Sequence, residues 1–257
     1  PSTNLSGPTS FCAGDSVIIS VTNNPAYTYQ WKNEFGNISG STTNEITVKE
    51  TGTYNLEVTN SSNCSVETEP VIVTVSESPS IPVIAYTGST AFCSGDSVQL
   101  YVSINPALNY QWKLNGGAVG IDTNIYVAKL SGNYTLDVSN VSGCVALSSN
   151  SVDVTVNEVP DKPVVSLSGL TGFCEGDSLI LSTDEHAGLT YQWCNENGEI
   201  LNANSNQYVT YNSGDFYLDI TNSSNCINTS NTTNVTVSEM PLKPVINTTG
   251  YDINDCP

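Results

Sequence analysis

Phe11-Cys12-Ala13-Gly14-Asp15-Ser16 returns as Phe92-Cys93-Ser94-Gly95-Asp96-Ser97 and again as Phe173-Cys174-Glu175-Gly176-Asp177-Ser178, with a spacing of 81 residues both times. Tyr29-Gln30-Trp31 keeps the same spacing to Tyr110-Gln111-Trp112 and Tyr191-Gln192-Trp193. A period held by two separate motifs marks a repeated structural unit. It divides the 257 residues into modules at 1–79, 80–160 and 161–241, with 242–257 as the start of a fourth. Pro244-Val245-Ile246 matches Pro82-Val83-Ile84, so the chain is expected to be a segment of a longer array. No signal peptide opens it, which fits a mature chain or a fragment.

Outward from the first motif the periodicity is two. Val17, Ile19 and Val21 alternate with other positions, Asn23-Asn24-Pro25 interrupts, and Tyr27, Tyr29 and Trp31 then share one face of a second strand. Further alternating runs hold Ile46 and Val48, then Tyr54, Leu56 and Val58, then Val71, Val73 and Val75, each closed by Gly, Asn, Ser or Pro. Short strands with turns every 8 to 12 residues and no amphipathic helical window predict an all-β antiparallel sandwich. The order of landmarks narrows this to an immunoglobulin-like fold: a strand after Gly14, a Trp on the next, and Gly52-x-Tyr54-x-Leu56 in the manner of a tyrosine corner. Val21 and Leu56 stand where antibody domains keep their inter-sheet cysteines. The expectation is three tandem immunoglobulin-like β-sandwich modules in an extended rod.

Six Lys, no Arg and 25 acidic residues give a net charge of -19. Nucleic acid is not expected as a partner, because a phosphate backbone needs clustered cations. Membrane insertion is not expected either, since no run of about 20 apolar residues occurs. The carboxylates are scattered and no Cys-x-x-Cys spacing appears, so neither metal nor cofactor is anticipated. His186 is the sole histidine and lies in a variable turn, Asp184-Glu185-His186-Ala187-Gly188, which reads as a solvated loop. With no partner for it to act on, a catalytic site is not expected. A ligand- or carbohydrate-binding module is the competing reading, with Tyr86, Tyr101, Tyr211, Tyr217 and Tyr251 facing outward by strand parity.

Pro79-Ser80-Ile81-Pro82, Pro160-Asp161-Lys162-Pro163 and Pro241-Leu242-Lys243-Pro244 lie at the module junctions and read as stiff, extended connectors rather than peptide ligands. Cysteine at fixed places reads as a disulfide framework in an oxidising, extracytoplasmic setting. Each module contributes one Cys early and one late: Cys12 and Cys64, Cys93 and Cys144, Cys174 and Cys226, at separations of 52, 51 and 52. That constancy favours pairing within each module. The rival is a bond across each junction, Cys12 with Cys144 and Cys93 with Cys226. Cys256 resembles the first cysteine of the fourth unit, and Cys194, facing outward by parity, is a free thiol or a partner for Cys256. Asn60, Asn140 and Asn222 fit Asn-x-Ser/Thr, a match expected by chance in so Asn- and Ser-rich a chain.

The succession Phe-Cys-x-Gly-Asp-Ser, Tyr-Gln-Trp, Gly-x-Tyr-x-Leu-x-Val-x-Asn-x-x-x-Cys and Val-x-Val-x-Val resembles the tandem Ig-like modules of large surface adhesins of Bacteroidetes bacteria, of the gliding-motility adhesin type. The resemblance covers essentially the whole chain. It implies export by the type IX secretion system, an extracellular place at the bacterial cell surface, and use as a stalk or spacer presenting an adhesive region. The implied partners are neighbouring modules of the same chain, surface polysaccharide and other cell-surface proteins. Ser16, Ser97 and Ser178, each in Asp-Ser before an aliphatic residue, resemble the O-glycosylation sequon of secreted proteins of those bacteria. The plainer reading is that Asp and Ser shape the turn into the next strand.

Overall fold

Alternating apolar residues close the first module into two facing sheets. The computed structural model describes residues 2–245. Its first nine strands are β1 (Asn4–Leu5), β2 (Ser10–Cys12), β3 (Val17–Ser20), β4 (Tyr27–Asn33), β5 (Gly36–Asn37), β6 (Glu45–Val48), β7 (Gly52–Asn60), β8 (Ser65–Glu67) and β9 (Val71–Ser76). One sheet runs β1-β3-β6; the other runs β2-β9-β7-β4-β5, with β8 also paired to β7. The pairings are antiparallel except that of β2 with β9, which is parallel and sets Cys12 opposite Ser76. Val17, Ile19, Trp31, Val48, Leu56 and Val73 meet between the sheets, each no more than 2% exposed. Truncating the Trp31 side chain to Ala would remove about 3–5 kcal/mol.

The polar atoms inside this core are all answered. Trp31 donates its indole N–H to Thr43 O at 3.1 Å, as Trp112 does to Thr123 O and Trp193 to Ser205 O. Tyr54 donates its hydroxyl to Glu50 O, and Tyr134 does so to Leu130 O, which is the corner anticipated from the sequence. In the third module this residue is Phe216, and the matching carbonyl, that of Asn212, accepts instead from the hydroxyl of the buried Thr210. A further shared feature interrupts the last strand. Register shifts by one between Glu57↔Glu67 and Tyr54↔Val71, so three residues oppose two. The buried Thr68 hydroxyl accepts the Leu56 N–H there, as the Ser230 hydroxyl accepts that of Leu218.

The same two-sheet order recurs in the second and third modules. Their equivalents of β4 and β7 are Leu108–Leu114 with Gly132–Asn140, and Thr190–Asn195 with Gly214–Thr221. No helix occurs among the described residues. Chain proximity groups Pro1–Ala91 with Asp96–Thr155 in one unit and Phe92–Gly95 with Val156–Pro257 in another, so the second module's Phe-Cys-Ser-Gly turn is grouped with the third module. The one departure along β4 is Tyr27. It shares the inward parity of Tyr29 and Trp31, but at 43% exposure it lies beyond the end of the core.

Candidate functional site: the joint between modules

Each joint is assembled from two local motifs. The first is the Cys-x-Gly-Asp turn, in which Asp15 N donates to Cys12 O at 3.1 Å and Ala13 N to Ser76 O at 2.9 Å. Gly14 takes φ +103°, a region closed to most side chains, which accounts for Gly at this position in all three copies. The second motif is the hairpin Asn140-Val141-Ser142-Gly143-Cys144. Asn140 Oδ1 accepts from Ser142 N and Cys144 N, both at 3.0 Å, and Gly143 supplies φ +79°. Such a three-residue loop with a left-handed third position is a standard hairpin closure, and Asn63 and Asn225 fill that position in the other copies.

The two motifs meet in covalent bonds, and the expected pairing within modules is overturned. Cys12 is bonded to Cys144 and Cys93 to Cys226, each with Cα atoms 5.6 Å apart. Cys64 and Cys174 are exposed free thiols. The parallel β2–β9 pairing gives the reason. It carries Cys12 to the end of the module where β9 leaves for the connector, near the start of β7. Cys64 sits beyond the other end of β7, whose nine residues span on the order of 30 Å, against a limit of about 7 Å for a disulfide.

Beside the sulfurs, the free amide edge of the hairpin asparagine completes the joint. Asn140 Nδ2 donates to Glu77 O at 2.8 Å, and Asn222 Nδ2 donates to Glu158 O at 2.8 Å. Cys144 and Cys226 are 1% and 0% exposed. The connectors are held too: Ser149 N donates to Pro82 O and Ile84 N to Asn150 Oδ1, while Asn228 Nδ2 donates to Pro160 O. Sequence reasoning missed these asparagines, treating them as chance glycosylation matches. The signal was the recurrence of Asn-x-Ser-x-Cys at each hairpin.

Other singled-out residues are not drawn into a common site. Cys194 is a free thiol, one of the two alternatives the sequence left open, and it is only 2% exposed. Parity does put it on the outer sheet face, but there Tyr217, Asp219 and Glu199 cover it, and burial, then the Asp219 charge, pushes its thiol up. It replaces Lys32, which pairs with Glu57 and Glu67, and Lys113, which pairs with Asp137, so Asp219 lacks that cation. His186 is exposed in a turn where its N–H meets the Tyr191 hydroxyl. Ser16, Ser97 and Ser178 are exposed beside the buried Val17, Val98 and Leu179. Tyr86 and Tyr101 occupy adjacent strands but opposite faces, Tyr86 pairing with inward Leu100. Tyr211 is exposed and Tyr217 is half-buried against Cys194. Tyr251 and Cys256 lie outside the described residues. Among the described residues no cluster of three or more His, Cys, Asp or Glu is arranged to hold a metal.

Facing three-strand and six-strand sheets, a buried central Trp, and a first strand that crosses to pair in parallel with the last define tandem immunoglobulin-like sandwiches. Residues 160–241 match the family described as Ig-like domain CHU_C associated, and residues 1–75 match that described as PKD-like domain. No curated protein matches the sequence. Among solved structures, a three-Ig I-band fragment of titin is 14% identical, with 90% of this chain and 95% of that one covered, at a TM-score of 0.42. Murine CEACAM1b is 20% identical over 58% and 96%, at 0.35, and Drosophila OTK extracellular domains 3 to 5 are 14% identical over 90% and 94%, at 0.34.

Proposed function

We propose that the chain is a non-catalytic repeat segment of a bacterial cell-surface adhesin, exported by the type IX route, acting as a stiff stalk that presents an adhesive region. The carrying observation is that the same joint is built twice, from a disulfide and an asparagine amide, at the place where one module hands over to the next. Two fasteners beside a proline-bounded connector remove the hinge freedom that a single flexible linker leaves. A spacer needs that stiffness, and it asks no module to be chemically special. The extracellular assignment rests on the disulfides, which persist in oxidising surroundings, and on the CHU_C-associated match. Among the described residues Tyr86 and Tyr101 lie on opposite faces and Tyr211 and Tyr217 belong to another module, so these four offer no shared platform for a sugar. Small-angle scattering of the oxidised chain tests the reading: an elongated particle that becomes more flexible on reduction supports it, and a compact, folded-back particle refutes it.

A further inference from the structure

The first module carries a complete but unused hairpin half of the joint. Asn60 Oδ1 accepts from Ser62 N at 2.9 Å and Cys64 N at 3.0 Å, and Asn60 N bonds Cys64 O, reproducing the Asn140 hairpin bond for bond. Among the described residues Asn60 Nδ2 has no partner. Cys64 is exposed where Cys144 and Cys226 are buried, and Val66 is 56% exposed where Ala146 is 8%. Together with Tyr27, Tyr29, Val21 and Val58 these residues line a cleft of about 300 Å³ at that end of the module. The third module carries the complementary half. Glu175 N donates to Ser238 O at 2.8 Å and Asp177 N to Cys174 O at 3.1 Å, as around Cys12. Glu239 follows Ser238 as Glu77 follows Ser76 and Glu158 follows Asn157, and in both finished joints that Glu supplies the carbonyl for the asparagine amide.

We propose that Cys64 and Cys174 are the two open halves of one further joint, each made to bond a module of this same architecture. Cys64 would take the cysteine of a Cys-x-Gly-Asp turn, and Cys174 the cysteine of an Asn-x-Ser-x-Cys hairpin. Neither argument rests on a cysteine alone, since each side has its mate occupied twice on the page, with the same backbone bonds and the same asparagine. Closing the bond removes one proton and one electron from each thiol. A small-molecule disulfide oxidant takes the two electrons and leaves as two thiols. The inference rests on reading the chain as a repeat segment, not on its adhesive role.

The test is a tandem duplication in register: residues 1–243 fused to a second full copy, with Cys256→Ser in that copy. The fusion is refolded in a glutathione redox buffer and its disulfides are mapped by mass spectrometry of proteolytic peptides. The expected result is a bond from the first copy's Cys174 to the second copy's Cys64, with the outer Cys64 and Cys174 left as free thiols. Asn60→Ala in the second copy is expected to lower the equilibrium for that bond by about two- to ten-fold, the worth of one hydrogen bond. A fusion whose Cys12–Cys144 and Cys93–Cys226 bonds form while the central Cys174 and Cys64 stay reduced, or pair elsewhere, overturns the proposal. A compact scattering profile with the bond present would sink the stalk reading alone, and an elongated profile without the bond would sink this inference alone.

Discussion

Pulling on the two ends of this chain tests the joints more directly than any melt. A fully unfolded polypeptide stretches to about 3.3–3.6 Å per residue, and a disulfide lets force take the shortest covalent route. With handles at Ser2 and Val245, that route runs ten steps to Cys12, crosses to Cys144, runs fifty-one steps back to Cys93, crosses to Cys226, and runs nineteen steps on. The route is 80 steps, against 243 for the reduced chain. The oxidised molecule should therefore reach a contour length of about 280 Å, and the reduced one about 850 Å. Optical tweezers or force microscopy, with and without a thiol reductant, measures both. Cys12→Ser opens one joint only, leaving a route of 110 steps and about 385 Å. Pairing within modules would give a different signature, because each bond would then hide its own 51 or 52 residues and Cys12→Ser would release only that one loop. The oxidised lengths would then be nearly equal, 88 steps against 80, but Cys12→Ser would leave 140 steps, and a contour length of about 490 Å for that variant would refute the reasoning.

Tyr54→Phe should cost about 1 kcal/mol by leaving Glu50 O without its donor, seen by calorimetry as a melting point lowered by about 4–8 °C for the first module. Thr210→Val should act likewise in the third module, where that hydroxyl does the corresponding work. Acid should weaken the first module. Its own backbone N–H and that of Thr53 hold the Glu34 carboxyl below the usual range, and Lys32 does the same for Glu57. Depressed carboxyl values stabilise above the unfolded value, near 4.5, and the contribution is lost as pH falls through the folded value. Thermal melts at about pH 3 and about pH 7 should differ less for Glu34→Gln, whose amide oxygen keeps the bond to Thr53 N as Asn115 keeps that to Asn133 N; an unchanged difference would exclude Glu34 as a source of the acid sensitivity. O-glycosylation of Ser16, Ser97 and Ser178, the alternative to a turn-shaping role, predicts added intact mass in natively produced protein, and unmodified peptides at all three would end that idea.

The sandwich was legible because its period-two runs and its Trp are local patterns repeated three times, and its tyrosine corner one repeated twice. The buried positions Val17, Trp31 and Leu56 followed from parity alone. Cysteine pairing was not legible, because constant separations of 51 and 52 fit a bond within a module and a bond to the next equally well. What decides it is the parallel pairing of β2 with β9, a contact between residues more than sixty apart that leaves no periodic trace. Cys194 escaped for a related reason: parity gives the face of a sheet but not what lies over it, and here Tyr217 and Asp219 lie over it. The compensation of Phe216 by Thr210 was hidden because the rescuing hydroxyl comes from a different strand than the tyrosine it replaces.

The crossing of the bonds also sets a timetable for making the protein. A chain that emerges from its N-terminus exposes Cys12 long before Cys144, its mate 132 residues further on, and meanwhile offers it Cys64 and Cys93. Folding of the first module as soon as it is out carries Cys64 to the far end from Cys12 and so protects against the nearer wrong partner before the right one exists. Each module thus waits, already shaped and with the sulfur of its Cys-x-Gly-Asp turn reduced, for the next to arrive, and an oxidant that acts before the sandwich closes would trap the shorter loop. Maturation is then a relay along the chain in which closure of each module licenses the bond that the following one completes.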